Sequence, residues 1–147
     1  MTNTLPEVLR QFKDGRVAED ELLRFLKDLP YQNLEFAKVD HHRHLRQGFP
    51  EVIFGRGKTT EQILAIAASL LERHENLLIT AASQEVFSAV RELCPEAQHF
   101  PRSRVVAVQR DKNIRGVGTI AVVSAGTSDI PVAEEAAVTA RVMGNEV

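Results

Sequence analysis

A single cysteine, Cys94, in 147 residues rules out an internal disulfide. No apolar run approaches the about 20 residues that a bilayer-spanning helix needs. The opening Met1-Thr2-Asn3-Thr4-Leu5-Pro6 has no apolar signal core. A formal net charge of −2 provides no field over the whole surface for nucleic acid, although a local basic patch remains compatible with it. Neither an internal repeat nor a low-complexity segment is present. These absences make cytoplasm the expected compartment, with no membrane and no nucleic acid as partner.

What is present is an ordinary globular composition, 44% hydrophobic and 26% charged. The length suits one domain, or one small domain plus part of another. Leu5, Val8, Leu9 and Phe12 make one helical stripe; Leu22, Phe25, Leu26 and Leu29 make a second beyond the Asp14-Gly15 turn, and Pro30 closes it. Residues 34–39 alternate like a strand. Val52-Ile53-Phe54 reads as a strand running into Gly55-Arg56-Gly57. Thr59 or Thr60 caps a helix carrying Ile63, Ile66, Ala67, Leu70 and Leu71. Leu77-Leu78-Ile79-Thr80 is a buried strand, Ser83 caps a helix carrying Val86, Val90 and Leu93, and Val105-Val106-Ala107-Val108 is a further strand. The alternation of strand and helix from Val52 to Val108 is that of a small α/β domain. A boundary is placed near Arg115-Gly116-Val117-Gly118.

Beyond it, Ile120-Ala121-Val122-Val123 lacks alternation, as expected of a strand covered on both faces. Ser124, Ala125, Gly126 and Thr127 are small enough for a ligand to approach the backbone. Ser128 or Asp129 caps the next helix, Pro131 suits its first turn, and Gly144-Asn145 stops it. Val132, Ala136, Ala140 and Met143 form the apolar face of that helix. Open α/β sheets bind ligands at the carboxyl ends of their strands, and this turn is such an end. A well-capped turn with no ligand has the same sequence. A crossover helix needs a returning strand to cover it. The chain is therefore expected to be the front part of a larger enzyme.

Three other places bear on chemistry. Gly55-Arg56-Gly57-Lys58-Thr59-Thr60 is too short for a triphosphate loop, since Val52 stands where its first glycine belongs. The helix start beside Lys58 still suits one phosphate or carboxylate, against the plain alternative of a glycine turn with an exposed lysine. Asp40, Arg43 and Arg46 lie three apart, so on a helix one carboxylate would orient two guanidiniums toward an anion; a solvated charged face fits as well. His41, His42 and His44 have no second carboxylate or cysteine at zinc spacing, and no metal site is expected. Cys94 precedes Pro95 at the negative end of a helix dipole, which blunts its nucleophilicity.

The segment Ala125-Gly126-Thr127-Ser128-Asp129-Ile130-Pro131 resembles the signature turn of phosphoribosylaminoimidazole carboxylases, Gly-Ser-Asp-Ser-Asp-Trp-Pro, which binds the phosphoribosyl part of their substrate. Ser128, Asp129 and Pro131 match. Gly126 stands for a phosphate-contacting serine, Thr127 for an aspartate and Ile130 for a tryptophan. A wider pattern covers most of the chain: Asp40-x-x-Arg43-x-x-Arg46-x-Gly48-x-Pro50-Glu51-Val52, then Gly55-x-Gly57-Lys58-Thr59, then Ser124 through Ala136. It resembles the LarB family of lactate-racemase maturation proteins, the pyridinium-3,5-biscarboxylic acid mononucleotide synthases.

That resemblance implies a carboxylating synthase on the route to a nickel-pincer nucleotide. Its substrate is nicotinic acid adenine dinucleotide and its co-substrate carbon dioxide or bicarbonate. The ring is carboxylated at C5, and the phosphoanhydride is cleaved to release AMP. A cysteine adds to the ring and activates it; Cys94 does not match that cysteine, so this chain by itself is expected to be inactive. The resemblance further implies no covalently bound cofactor and a homo-oligomer, octameric in the family; it leaves room for Mg2+ without requiring it. Gly126, Ser128 and Asp129 are assigned to ribose or phosphate, and Arg43, Arg46 and Lys58 to the pyrophosphate and carboxylate. A purine-pathway carboxylase or mutase, or a nucleotide-binding module without catalysis, is the alternative. The expected fold is α/β: residues 1–116 hold a helical hairpin and a small α/β domain, and 117–147 hold the first strand-turn-helix of an incomplete, doubly wound carboxylase-like domain.

Overall fold

The computed structural model describes residues 5–27, 32–33, 38–39, 51–72 and 74–147. They belong to two compact units, residues 1–31 and 32–147.

The first unit is a helical hairpin of α1 (Leu5–Lys13) and α2 (Glu19–Lys27). Gly15 turns the chain at φ +71°, a conformation that glycine adopts without the steric cost of a Cβ. Val8 and Leu22 are buried, whereas Leu9, Phe12 and Leu23 stay exposed. Glu19, Asp20 and Glu21 load the first turn of α2 with negative charge, which suits the positive end of its dipole. Leu29 and Pro30, expected to end that helix, lie outside the described residues.

The second unit is α/β. A short antiparallel pair, β1 (Gln32–Asn33) and β2 (Lys38–Val39), precedes the main sheet. Residues 34–37, read from sequence as strand, lie outside the described residues. The main sheet contains β3 (Val52–Phe54), β4 (Asn76–Thr80), β5 (Gln98–Phe100) and β6 (Val105–Gln109), in the spatial order β3-β4-β6-β5. β3 pairs parallel to β4, with Ile53 opposite Ile79. β6 runs antiparallel to both β4 and β5, with Leu78 opposite Ala107 and Phe100 opposite Val105. The three-residue β5 carries no periodic signal in the sequence, and its ladder with β6 is what makes it a strand.

Three layers result. Successive residues of a strand point to opposite faces. Leu77 and Ile79 face one side with Val106 and Val108, beneath α3 (Thr60–Leu71) and α4 (Gln84–Leu93). Ile63, Ile66, Ala67 and Leu70 of α3, and Val86 and Val90 of α4, complete that core, and Cys94 belongs to it. Leu78, Val105 and Ala107 face the other side, where Val138 and Val142 of α5 (Ile130–Val142) cover them. The unalternating apolar runs of β4 and β6 are thereby explained: both faces are covered.

The expectations for residues 120–143 need correction. Ile120-Ala121-Val122-Val123 forms no strand, and all four residues are exposed, Val123 at 89%. A strand persists where a neighbour takes its amides and carbonyls. Among the described residues this segment has one parallel bridge, Thr119 with Glu146, and one ladder bond, from Ile120 N–H to the Glu146 carbonyl at 2.8 Å. The buried face of α5 is also not the expected one. Val138 and Val142 are buried, while Val132 is 72% exposed and Ala136 is exposed. Ala133, Ala136, Ala137 and Ala140 leave the helix weakly amphipathic, so the uncovered face of the sheet selects which side is buried.

The stop of α5 follows the sequence closely. Gly144, at φ +81°, donates to the Arg141 carbonyl at 2.9 Å, and Asn145 N–H donates to the Ala140 carbonyl at 3.1 Å. This pair of bonds is a Schellman closure. No helix among the described residues is long and apolar enough to cross a membrane.

Candidate functional site

Two concave regions among the described residues adjoin Lys58 and Asp129, two of the residues singled out from sequence, and they share no lining residue.

The first lies at the carboxyl ends of the parallel strands β3 and β4, where open α/β sheets bind ligands. Each strand leads through a short turn into a helix. Thr59 caps α3 reciprocally: its hydroxyl accepts Gln62 N–H at 3.3 Å, and Gln62 Oε1 accepts Thr59 N–H at 3.1 Å. Ser83 caps α4 by accepting Val86 N–H at 3.2 Å. The Ser83 cap agrees with the sequence reading, and of the two candidates Thr59 and Thr60 it is Thr59 that caps α3. Gly55 is buried between the turns; its N–H donates to the Thr80 carbonyl at 2.8 Å, and a Cβ there would stand 3.0 Å from the Thr80 and Ala81 carbonyl oxygens. The resulting cleft, about 370 Å³, is lined by Arg56, Lys58, Thr60, Ser83, Glu85 and Arg104 among others.

Lys58 therefore sits where the sequence put it, beside a helix start. Its ammonium donates to the Phe54 carbonyl at 2.8 Å, which leaves further donors on the same nitrogen. The Arg56 guanidinium lies 5.8 Å from the Phe54 ring centroid. Glu85 accepts the Thr60 hydroxyl at 3.4 Å. Arg56 and Arg104 were not recognised as site residues from sequence. Arg104 has no local signal, because antiparallel pairing of β6 is what brings the residue before it to this end of the sheet.

The second region surrounds the turn before α5. Residues 127–129 form one turn of 3₁₀ helix, and Asp129 N–H donates to the Gly126 carbonyl at 3.1 Å. A Cβ built on Gly126 would stand 3.7 Å from both Ser128 Oγ and Asp129 Oδ2. The turn thus brings Gly126, Ser128 and Asp129 to one point, and all three are exposed. The expected side-chain cap is absent: neither Ser128 nor Asp129 accepts a first-turn amide of α5, and Asp129 itself is in the right-handed helical region. Pro131 does occupy the first turn. Asp129 lines an open concavity with Val122, Val123, Ser124, Ala125 and Val132.

Arg43, Arg46, Asp40 and the histidines His41, His42 and His44 lie outside the described residues. Among the described residues, no group of three His, Cys, Asp or Glu side chains is placed to hold a metal ion. Cys94 is buried at 1% exposure. Its thiol donates to Glu96 Oε2 at 3.4 Å and accepts from Arg110 Nη2 at 3.6 Å, and Arg110 Nε donates to the same carboxylate oxygen at 2.8 Å. The Arg110 hydrogen bond, and then the thiol's, hold the Glu96 carboxyl below its ordinary range. This is a buried, occupied thiol, unsuited to attack on a substrate.

Residues 31–111 match the LarB/PurE-like N-terminal domain. An uncharacterized protein of Methanocaldococcus jannaschii is 30% identical over 158 aligned positions, covering 99% of this chain. The chain spans 60% of that relative's length. The matched domain includes the whole main sheet, the capped helices α3 and α4, and the Lys58 cleft. With more than half of its length in that domain, the chain belongs to the LarB/PurE-like family.

Proposed function

We propose that the chain is the nucleotide-binding front part of a carboxylating synthase acting on nicotinic acid adenine dinucleotide. The enzyme adds a carboxyl group from carbon dioxide or bicarbonate to C5 of the pyridinium ring and releases AMP. The observation that carries the reading is the convergence of Ser128 Oγ and Asp129 Oδ2 beside Gly126, in a chain that belongs to the LarB/PurE-like family. A carboxylate with no side-chain capping role is free to accept ribose hydroxyls, and the start of α5 favours a phosphate beside it. Lys58 contributes a cation for the dinucleotide's pyrophosphate or carboxylate, with Arg43 and Arg46 assigned the same work.

A cationic pyridinium is a poor carbon nucleophile until a thiolate adds to it. Cys94, the single cysteine, is buried against Glu96 and Arg110. This chain is therefore expected to bind the dinucleotide without turning it over. The proposed assembly is a homo-oligomer with no covalently bound cofactor, and the reading does not require Mg2+.

Calorimetric titration with nicotinic acid adenine dinucleotide tests the reading. Binding that is weakened about tenfold by Asp129→Ala, the loss of one charge-assisted hydrogen bond, is the expected result. An absence of binding, or equal binding by the variant, sinks it. Preference for aminoimidazole ribonucleotide would instead favour the purine carboxylase or mutase reading, which the Ser128, Asp129 and Pro131 matches also support. Production of AMP from bicarbonate and the dinucleotide would contradict the role given to Cys94.

A further inference from the structure

We propose that the cleft between β3, β4 and the 101–104 turn is a second, separate anion subsite, built for a phosphoryl group and completed by Arg104.

Charge is the first argument. Arg56, Lys58 and Arg104 line the cleft together with one carboxylate, Glu85, which Thr60 already engages. The ion pairs seen among the described residues use Arg16, Arg24, Arg110 and Arg115, so none of the three cleft cations is neutralised by a carboxylate there. Three cations against one acid, in a concavity of about 370 Å³, make an anion the complementary occupant. That volume lies in the range of about 300–1,000 Å³ usual for small-ligand clefts.

Construction is the second argument. Arg104 is held in the left-handed region at φ +56°, where L residues with a side chain rarely sit. Two hydrogen bonds from outside the turn fix it. Ala82 N–H donates to the Arg104 carbonyl at 2.7 Å, and the Glu134 carboxylate of α5 accepts the neighbouring Ser103 N–H at 2.9 Å. Ala81, which precedes the residue bonded to Arg104, is likewise left-handed at φ +52°. The turn that carries the cation is thus tied both to the β4–α4 connection and to the helix on the far face of the sheet. The starts of α3 and α4 border the same space, and the positive ends of their dipoles favour negative charge there. A tetrahedral oxyanion suits such a surround, because donors reach it from several directions at once.

The subsite shares Lys58 with the function proposed above but none of the 124–131 turn, and its probe is inorganic. Amide NMR titration of the 147-residue protein with pyrophosphate, in Mg2+-free buffer at fixed ionic strength, is the test. The expected result is saturable shifts in residues 56–61, 83–86 and 103–105. Arg104→Gly, which removes the guanidinium while keeping the left-handed turn accessible, should weaken binding about tenfold. Arg56→Ala should weaken it too. Arg102→Ala, in the same turn but outside the cleft lining, should leave it unchanged.

Shifts of equal size with sulfate would mean an adventitious ion only and would overturn the proposal. So would unaltered affinity in Arg104→Gly, or a response to bicarbonate in place of pyrophosphate. The two readings fail separately. Pyrophosphate binding that persists in Asp129→Ala, in a protein that ignores the dinucleotide, sinks the synthase reading and sustains this subsite; pyrophosphate affinity unaltered by Arg104→Gly, in a protein whose dinucleotide binding is lost in Asp129→Ala, does the reverse.

Discussion

Asn76 in β4 holds Val142 in α5: its side-chain amide donates to the Val142 carbonyl at 3.0 Å, across the face of the sheet that the helix covers. The same nitrogen donates to the Asp111 carbonyl at 3.1 Å, and Asn76 Oδ1 accepts Asp111 N–H at 3.0 Å. One side chain therefore pins the last turn of α5 and the exit of β6 to the start of β4. Asn76→Ala strands several partly buried backbone groups and should cost about 2 kcal/mol. Urea denaturation measures it; a loss below about 0.5 kcal/mol, the size of an ordinary surface change, would show that water replaces the clasp.

Val138 and Val132 distinguish the two faces of α5. Val138 is 2% exposed and packs under the sheet, while Val132 is 72% exposed. Val138→Ala should destabilise by about 2 kcal/mol, and Val132→Ala by no more than about 0.5 kcal/mol. Thermal melts of the two variants check the assignment, and the reverse order would return the buried face to the side expected from sequence.

Gly55 and Gly126 should respond oppositely to a side chain. At Gly55 a Cβ meets two carbonyl oxygens at 3.0 Å, both backbone, one at the end of β4 and one in the turn after it. Gly55→Ala is expected to cost about 1–3 kcal/mol through overpacking. At Gly126 the backbone is extended at φ −154°, and the nearest atoms stand at 3.7 Å. Gly126→Ser, which restores the residue of the purine carboxylase turn, should therefore stay within about 0.5 kcal/mol. Comparison of denaturation midpoints is sufficient, and a severe loss at Gly126 would mean the turn is more crowded than it looks.

Acid should loosen the connection after β6. The Asn113 N–H holds the Asp111 carboxyl below its ordinary range, against the opposing effect of burial and with help from the charge of Arg115. A lowered folded value means that the stabilisation is present above the unfolded value of about 3.9, and is lost as pH falls through the lower folded value. Asp111→Asn should flatten stability against pH in that window alone. An unchanged acid limb would assign the effect to other carboxylates.

The capped helices were legible because their signals are local. Thr59 with Gln62, and Ser83 ahead of Val86, announce helix starts within four residues, and the positions of Ile63, Ile66 and Leu70 identify the buried face. The Gly144 stop is local in the same sense. What escaped was decided at a distance. β5 becomes a strand through β6. The run Ile120–Val123 has every intrinsic mark of a strand, yet only Thr119 and Ile120 find a partner, at Glu146. Small residues on all sides of α5 left its orientation to the sheet. Asp129 was placed correctly in the turn, but its capping role was not, because the chain enters α5 through a 3₁₀ turn instead of an extended cap residue.

The direction of β6 has an evolutionary corollary. In a wholly parallel sheet, the strand ends at one edge all flow onward into helices, and altering such a connection disturbs a packed layer. Here one contributor to that edge is the hairpin bend at residues 101–104, four residues between β5 and β6. Changing the side chains of that bend re-equips the mouth of the cleft, while the backbone bonds to Ala82 and Glu134 keep it tied to its neighbours. Ligand preference can drift there without renegotiating the core.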